Sequence, residues 1–580
     1  MSNSNQKLPV LYKNKTRYKK KTLVNERSSI VNIHRNFQSV NLNDMFGIIG
    51  DSHRYQFVML ISLSIIASVQ AFFIFSLFFQ FKIPDFQCKN LTTNEIENCS
   101  RLNYCTQKNT LELITSVPSI LENFSMFCIT ELMLTKILTL IIFSSILILS
   151  PFYLLNKIKG RKQGLMILTT LQIICCIIII NASNFYTFTI ILTLNFTCAA
   201  VWLISAFLYI IESSGKKFHN KSFKIYSIFI ALSIIACSFV FQKQINYKSI
   251  YKILMMVLVL LSCFYLVLVE SPAYLKSNSN IFEFYLALRE IARINYSPLR
   301  AEKRKDRIKK ILFDDIDPSV DLNNISSFYD KNDLYMVDHS NNSKNLKLKM
   351  HPLNFKQMQI KKKIRQMNKI FKINLRDESA FRIPGFVLLN MIYHNVLIFC
   401  SSFITFIFWF SIDILNKQNN NNTSIFISFS FFIGMLCNLY SPFRIPFSFS
   451  LVGSLLIISL MLSFTHLKIF FDQESEQEKL KNINIPFMSL LLSGFYFFIG
   501  LGFFSSLKNS LKNFKKDILL LSTICMLFSI VLGISCSGFL TSYFRLNDVP
   551  ILWGIFVVTA FALPLSMLSP IKNEKIKQTY

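Results

Sequence analysis

The chain has 580 residues, 52% of them apolar with 59 phenylalanines, and a net charge of +30. The apolar residues gather in runs of about 17–25, the length that crosses ~30 Å of hydrocarbon. No polar face recurs in them every three or four residues, which excludes a water-soluble helical protein. The Lys and Arg fall in the connections between runs and alternate in abundance from one to the next, so the positive charge points to a lipid bilayer and not to a nucleic acid.

Residues 1–55 are a basic polar tail (Lys13, Lys15, Arg17, Lys19, Lys20, Lys21) with no apolar stretch of signal-peptide length. Asn and Lys dominate it where a mitochondrial presequence would favour Arg and Ser. Six predicted spans follow at 56–81, 132–155, 164–183, 185–211, 223–242 and 250–269. Six more are predicted at 386–412, 424–440, 447–467, 485–507, 517–540 and 549–569, before a short tail at 571–580. The fold class is therefore an all-α polytopic membrane protein of twelve transmembrane helices, in two six-helix halves at 56–275 and 386–570. The even connections carry Lys157, Lys159, Arg161 and Lys162, then Lys216, Lys217, Lys221 and Lys224, then Lys508, Lys512, Lys515 and Lys516. The connection after the ninth run carries Asp472, Glu474, Glu476 and Glu478 instead. This asymmetry places the even loops and both termini in the cytosol, in the plasma membrane or an endomembrane.

Two connections are long. Residues 82–131, on the external side, hold Cys88, Cys99, Cys105 and Cys128. Four cysteines in an oxidising space make two disulfides, with three pairings open; the absence of His in the loop argues against zinc. Asn90-Leu-Thr and Asn123-Phe-Ser are glycosylation sequons in the same loop. The inner connection, 276–385, has 23 Lys+Arg against 13 Asp+Glu and an Asn/Ser-rich middle from Asn323 to Asn345. It is expected to carry short amphipathic helices around a disordered stretch. Its basic blocks, Lys303–Lys310 and Lys361–Lys363, suit an anionic leaflet, or simply a solvated linker.

Several segments, in order, resemble the organic cation and anion transporters of the major facilitator superfamily. Gly50-Asp-Ser-His-Arg-Tyr-Gln56 resembles that family's Gly-Glu-Phe-Gly-Arg-Tyr-Gln, and Ile83-Pro-Asp-Phe-Gln-Cys88 its Pro-Asp-His-Trp-Cys. Phe124-Ser-Met-Phe-Cys128 resembles the close of the family's external domain. Glu270-Ser-Pro-Ala-Tyr-Leu275 is similar to Pro-Glu-Ser-Pro-Arg-Trp-Leu, and Ile291-Ala-Arg-Ile-Asn295 to Ile-Ala-Lys-x-Asn. Glu212 stands where the family has a glutamate. The resemblance implies the 6+6 major facilitator arrangement, with Gly160, Arg161, Lys162, Glu212 and Glu270 as a gating motif. The chain also departs from that pattern. Where the superfamily reads Asp-Arg-x-Gly-Arg-Arg, it has Lys157-Ile-Lys-Gly160-Arg161-Lys162, so the latch Asp is a Lys. The second such loop, near Ser441-Pro-Phe-Arg444, lacks its glycine, and Glu-x-x-Pro-Thr has no match around Ser505–Ser510. The stretch Val531–Gly533, where cation members carry an Asp and anion members an Arg, is uncharged.

No ionisable residue lies deep in a run, since Glu131, Lys136, Glu212, Lys252, Glu270 and Asp413 all stand near ends. Neutral polar and aromatic groups remain as candidate substrate contacts. They are Gln70 in the first run, Asn195, Trp202 and Tyr209 on one stripe of the fourth with Cys198 and Ser205, Asn390, Tyr393 and His394 in the seventh, and Tyr496 among the glycines of the tenth. The bland account of each is a hydrogen bond between packed spans, worth ~0.6 kcal/mol. The expected function is transport of an organic solute, an organic ion or a neutral amphiphile, by alternating access as uniport or exchange. The alternative is a transport-degenerate relative kept as a receptor or as a structural subunit. No Gly-rich phosphate loop, nucleophile motif, metal cluster or cofactor signature supports an enzyme.

Overall fold

The computed structural model describes residues 42–50, 52–81, 86–91, 94–97, 99, 101–106, 110–115, 119–242, 246–278, 280–296, 303–304, 308, 385–407, 423–440, 447–471, 490–503, 516–547 and 551–567. The Asn323–Asn345 stretch, the Lys361–Lys363 block, Asp413, Ser441–Arg444, the acidic loop with Asp472 and Ser505–Ser510 lie outside the described residues. By its internal contacts the chain divides into Met1–Asn36 with Ile311–Asn390, and Phe37–Lys310 with Met391–Tyr580. The described part of the first unit is 385–390 alone; the second unit holds the helical bundle.

A short helix α1 (Leu42–Ile49) precedes α2 (Arg54–Gln80). Strands β1 (Phe86–Asn90), β2 (Ile96–Glu97) and β3 (Leu111–Thr115), with α3 (Arg101–Thr106) and α4 (Ile120–Asn123), fill the loop expected outside. The first half continues with α5 (Glu131–Lys159), α6 (Arg161–Asn181), α7 (Phe185–Glu212), α8 (Lys216–Gln242) and α9 (Tyr247–Ser262). A single 3-10 turn extends α9 through Cys263–Leu266, and α10 (Pro272–Ser277) and α11 (Ile281–Asn295) follow. The second half has α12 (Gly385–Ile407), α13 (Thr423–Tyr440), α14 (Phe447–Phe471), α15 (Leu490–Phe503), α16 (Lys516–Leu546) and α17 (Ile551–Met567). Eight of these are long and apolar enough to cross a membrane: α2, α5–α9 with the turn, α12 and α16; α13, α14, α15 and α17 carry shorter apolar stretches. Each coincides with one of the predicted runs.

Helix starts follow from short polar residues at the caps. Thr130 accepts from the Met133 amide, Asn184 from Tyr186, Asn246 from Lys248 and Ser271 from Tyr274. Pro272, with no N–H to lose, takes the first position of α10. Gly160 separates α5 from α6 at φ +106°, where a Cβ would stand 2.7 Å from Glu270 Oε2. Only glycine fits there without strain.

In the first half α2 packs on α7 and α8, α6 on α7 and α9, and α5 on α7. Across the halves α5 meets α16 and α8 meets α13, and in the second half α14 meets α17. The second half closes through small residues. A Cβ on Gly434 (α13) would strike the backbone of Phe497 (α15), and one on Gly500 would strike that of Phe431, so the two helices touch backbone to backbone.

The 86–130 segment is a small three-stranded sheet in the order β2-β1-β3, antiparallel throughout, with Cys88 opposite both Glu97 and Leu113. The cysteine pairing left open by the sequence is Cys88–Cys99 and Cys105–Cys128. Phe127 packs edge-on against Phe86 at 4.7 Å, and Arg101 Nε donates to the Phe127 carbonyl at 2.7 Å.

Gly434→Ala or Gly500→Ala is expected to lower stability by about 1–3 kcal/mol through overpacking. Gly47→Ala, on an exposed helical position with nothing within 4 Å, is neutral or stabilising. Thermal unfolding of the purified variants compares them.

Candidate functional site

Two sets of polar residues are built into the first half. One lies at the end of the bundle where α5 gives way to α6. There the Arg161 guanidinium makes a two-pronged ion pair with Glu212 at the end of α7, Nε to Oε2 and Nη2 to Oε1 both at 3.1 Å. Both side chains are 5% exposed. Ser271 Oγ donates to Glu212 at 2.8 Å, and the Tyr274 ring lies 5.2 Å from the guanidinium carbon. Glu270 sits beside this pair and accepts from three backbone amides: Arg161 and Ser271 at 2.9 Å and Lys162 at 3.2 Å. The first two helical N–H groups of α6, which no carbonyl of that helix can reach, are thereby satisfied by a carboxylate. Burial pushes the Glu270 carboxyl above its ordinary value, against the opposing pull of those amides and of the Arg161 charge.

A tyrosine pair ties this end to α2. Tyr55 and Tyr209 bring their hydroxyls to 3.1 Å, Tyr209 Oη donates to the Val269 carbonyl, and the Val269 amide donates to Tyr55 Oη at 3.1 Å. Asn295 at the end of α11 accepts from the Tyr55 amide at 2.8 Å. Its own amide donates to the Ile49 carbonyl at 2.9 Å and to Gln56 Oε1 at 3.2 Å. The segments 50–56, 160–162, 212, 270–275 and 291–295, scattered over the sequence, converge in one hydrogen-bonded cluster. Gly160, Arg161, Lys162, Glu212 and Glu270 all belong to it.

The second set lies within the spans. Trp202 is fully buried and donates through Nε1 to Tyr265 Oη at 2.8 Å, which also meets Thr169 Oγ1 at 2.7 Å. Tyr251 on α9 bonds Gln80 at 3.0 Å and packs on Phe73 at 5.9 Å, both on α2. Gln70 is completely buried, and neither its Oε1 nor its Nε2 finds a partner among the described residues. Asn195 is 2% exposed with Oδ1 unpartnered. Gln172 on α6 is fully buried with both amide atoms unpartnered. In the second half, Tyr393 Oη donates to the Ser566 carbonyl and Tyr496 Oη to the Thr405 carbonyl, both at 3.4 Å. His394 is buried with its ring 5.3 Å from that of Tyr393, and Asn390 Oδ1 makes no hydrogen bond among the described residues.

The sequence-derived candidates thus separate. Trp202, Tyr209, Tyr393 and Tyr496 have their polar atoms engaged between helices, whereas Gln70 and Asn195 do not. Gln172 and Tyr265 escaped the sequence reading. Gln172 is an amide in the middle of an apolar run, the same signal that singled out Gln70, and Tyr265 sits in a 3-10 turn that breaks the helical stripe. Asn90 ends β1, and Asn123 Nδ2 donates to Tyr247 Oη at 3.1 Å.

The arrangement is the major facilitator fold, in a mostly helical integral membrane protein. The proton:xylose symporter XylE bound to 6-bromo-6-deoxy-D-glucose aligns over 88% of this chain and 94% of its own with a TM-score of 0.53 and 10% identity. A partially occluded inward-open structure of the xylose transporter XylE from E. coli aligns over 86% of this chain and 98% of its own at 0.47, with 10% identity. At that identity the likeness bears on the fold. No protein-family model matches the sequence, and no curated protein matches it.

Replacing Glu212 by Gln strands the Arg161 charge in a buried site and should cost about 3–5 kcal/mol. A double change of Arg161 and Glu212 to Met should recover much of that loss, as a double-mutant cycle in thermal unfolding would show. The raised Glu270 carboxyl favours the folded state most below its ordinary value of 4.5, and that contribution is lost as pH rises through the raised value. Glu270→Gln keeps the acceptor oxygen, so its melting temperature should fall less than that of the parent as pH is raised from 4 to 7.

Proposed function

We propose that the chain is a twelve-span transporter that moves an organic solute by alternating access of its two halves. The observation that carries this reading is the seam between halves, whose described contacts are able to part without leaving a buried unpaired charge. Phe143 meets Phe539 at 6.0 Å where α5 crosses α16. Where α8 runs along α13, Ser238 and Ser428 bring their hydroxyls to 2.6 Å and Lys224 lies 4.9 Å from the centre of the Tyr440 ring. Phe406 on α12 meets Phe75 and Phe78 at 5.8 and 5.4 Å. Rocking of one six-helix half on the other requires seams of this separable kind.

In this reading the basic loops and both termini are cytosolic, and the sheet with its two disulfides is external, with Asn90 and Asn123 as glycan acceptors. No carboxylate stands in the interior of a described span, which supports uniport or exchange over proton coupling. The membrane is the plasma membrane or an endomembrane. Asn390, His394 and Tyr496 remain candidates for solute contact from the second half. A second reading, a transport-degenerate receptor or structural subunit, is favoured by Lys157 in place of the family's latch Asp.

The test is a seam cross-link in vesicles containing purified protein. Ser238→Cys with Ser428→Cys should stop flux when oxidised and regain it on reduction, while the parent is unaffected. Correctly folded parent protein giving no flux above protein-free vesicles, for organic cations, anions and neutral solutes alike, supports the second reading.

A further inference from the structure

We infer that Gln70, Gln172 and Asn195 form one recognition set inside the first half, and that it takes a neutral solute rich in hydroxyl or amide groups. The inference rests on the transporter reading and adds the chemistry of the solute.

The three residues belong to α2, α6 and α7, which pack together through the α2–α7 and α6–α7 contacts. They also belong to one layer of the bundle. Phe73 of α2 packs on Tyr251. Cys175 and Cys176 of α6 lie near Tyr251, and Cys198 of α7 lies near Cys175. Gln70 stands one turn from Phe73, Gln172 one turn from Cys175 and Cys176, and Asn195 one turn from Cys198. Residues three or four apart share a helix face, so each amide lies on the face of its helix that carries these neighbours.

What they have in common is that these amide atoms have no partner among the described residues. The neighbouring polar groups are satisfied: Trp202 and Thr169 by Tyr265, and Gln80 by Ser76 and Tyr251. Hydroxyls elsewhere in the spans bond back to carbonyls of their own helices, as Thr193, Thr197, Ser402 and Thr405 do. Gln70 and Gln172 each leave an acceptor oxygen and an amide donor group free, and Asn195 leaves an acceptor. Buried amides left so in a lipid-embedded bundle are unfavourable until something with both donors and acceptors arrives. A hydroxyl or a carboxamide offers both. A charged solute is disfavoured, because no described residue of this layer carries an opposing charge and burying an unpaired ion is far more costly than burying a dipole.

The experiment uses the full chain, in lipid nanodiscs for binding and in sealed vesicles for flux, and three near-isosteric variants, Gln70→Leu, Gln172→Leu and Asn195→Leu. Binding is measured with myo-inositol and uridine as neutral probes, tetraethylammonium as cation and benzoate as anion, beside the melting temperature of the ligand-free protein. The expected result is binding of a neutral probe, weakened about tenfold or more by each variant through loss of a hydrogen bond. The ligand-free melting temperature should hold or rise, because an apolar side chain replaces an unsatisfied amide. Amides that served packing through internal waters would instead lower the melting temperature and leave probe binding unchanged, which overturns the inference. Binding and flux of the cation or anion alone overturn the solute class while leaving the transporter standing. No binding and no flux for any probe overturns both.

Discussion

A charge buried at the end of a lipid-embedded bundle is tolerable only when every one of its hydrogen-bonding positions is answered. The Arg161–Glu212 pair answers much of that demand through its two-pronged contact, and much of the first half is arranged around it. Ser271 takes a further position on the Glu212 carboxylate. Glu270, next in sequence, turns the other way to cap the amides of α6. Gly160 is obligatory because any side chain there would collide with the Glu270 carboxylate. The loop between α5 and α6, the end of α7 and the start of α10 are thus held by one pair of charges, and the Tyr55–Tyr209–Val269 bonds extend the hold to α2. The pair is weak as a source of net stability, because desolvation offsets most of its attraction. Its consequence is register: no residue of the cluster can shift by a position without leaving a charge unanswered.

Deeper in the bundle the same constraint is met differently in the two halves. The second half draws α13 and α15 into backbone contact through Gly434 and Gly500 and returns its hydroxyls to helix carbonyls, as at Ser454, Ser535 and Thr541. It is closely packed, with Asn390 Oδ1 left without a hydrogen bond among the described residues. The first half joins its helices through tyrosines at two levels, Tyr265 and Tyr251, and leaves Gln70, Gln172 and Asn195 unanswered. Most of the buried amide atoms without a partner among the described residues of the spans therefore lie in the first half.

The spans were legible because lipid demands long apolar runs, and each predicted run coincides with a helix. The end cluster was legible as well, though only as separate segments: Gly160, Arg161, Glu212 and Glu270 were visible by resemblance. That Asn295 and Tyr55 would join them depends on pairing residues some 240 positions apart, which no local pattern encodes. Four cysteines in one loop announced two disulfides, but the choice among pairings goes with the β1–β2 register, which sets Cys88 opposite Glu97, and with the short helix that carries Cys105. The stripe on α7 was real, yet a stripe does not say whether a polar atom is engaged. Trp202 and Asn195 share a face, and only the position of Tyr265 on a neighbouring helix separates a satisfied donor from an unsatisfied acceptor.

The loss of the latch Asp acquires a physical meaning once the seam between halves is considered. An Asp–Arg latch holds two halves by a charge pair that must be broken and resolvated in each cycle. Lys157 removes that possibility from the first-half loop, and the contacts seen across the seam are of a different kind. A cation over an aromatic ring at a partly exposed site contributes about 0.5–1 kcal/mol, and a hydroxyl pair between spans ~0.6 kcal/mol. Together they amount to roughly 1–2 kcal/mol, a difference that a solute binding one arrangement about tenfold more tightly than the other can reverse. Lys224 also keeps its charge in the opening turns of α8, so parting from Tyr440 exposes it to water and leaves no buried ion behind. In the transport reading proposed above, and with no carboxylate interior to a described span, a weak seam of this sort would let solute binding alone set which side is open.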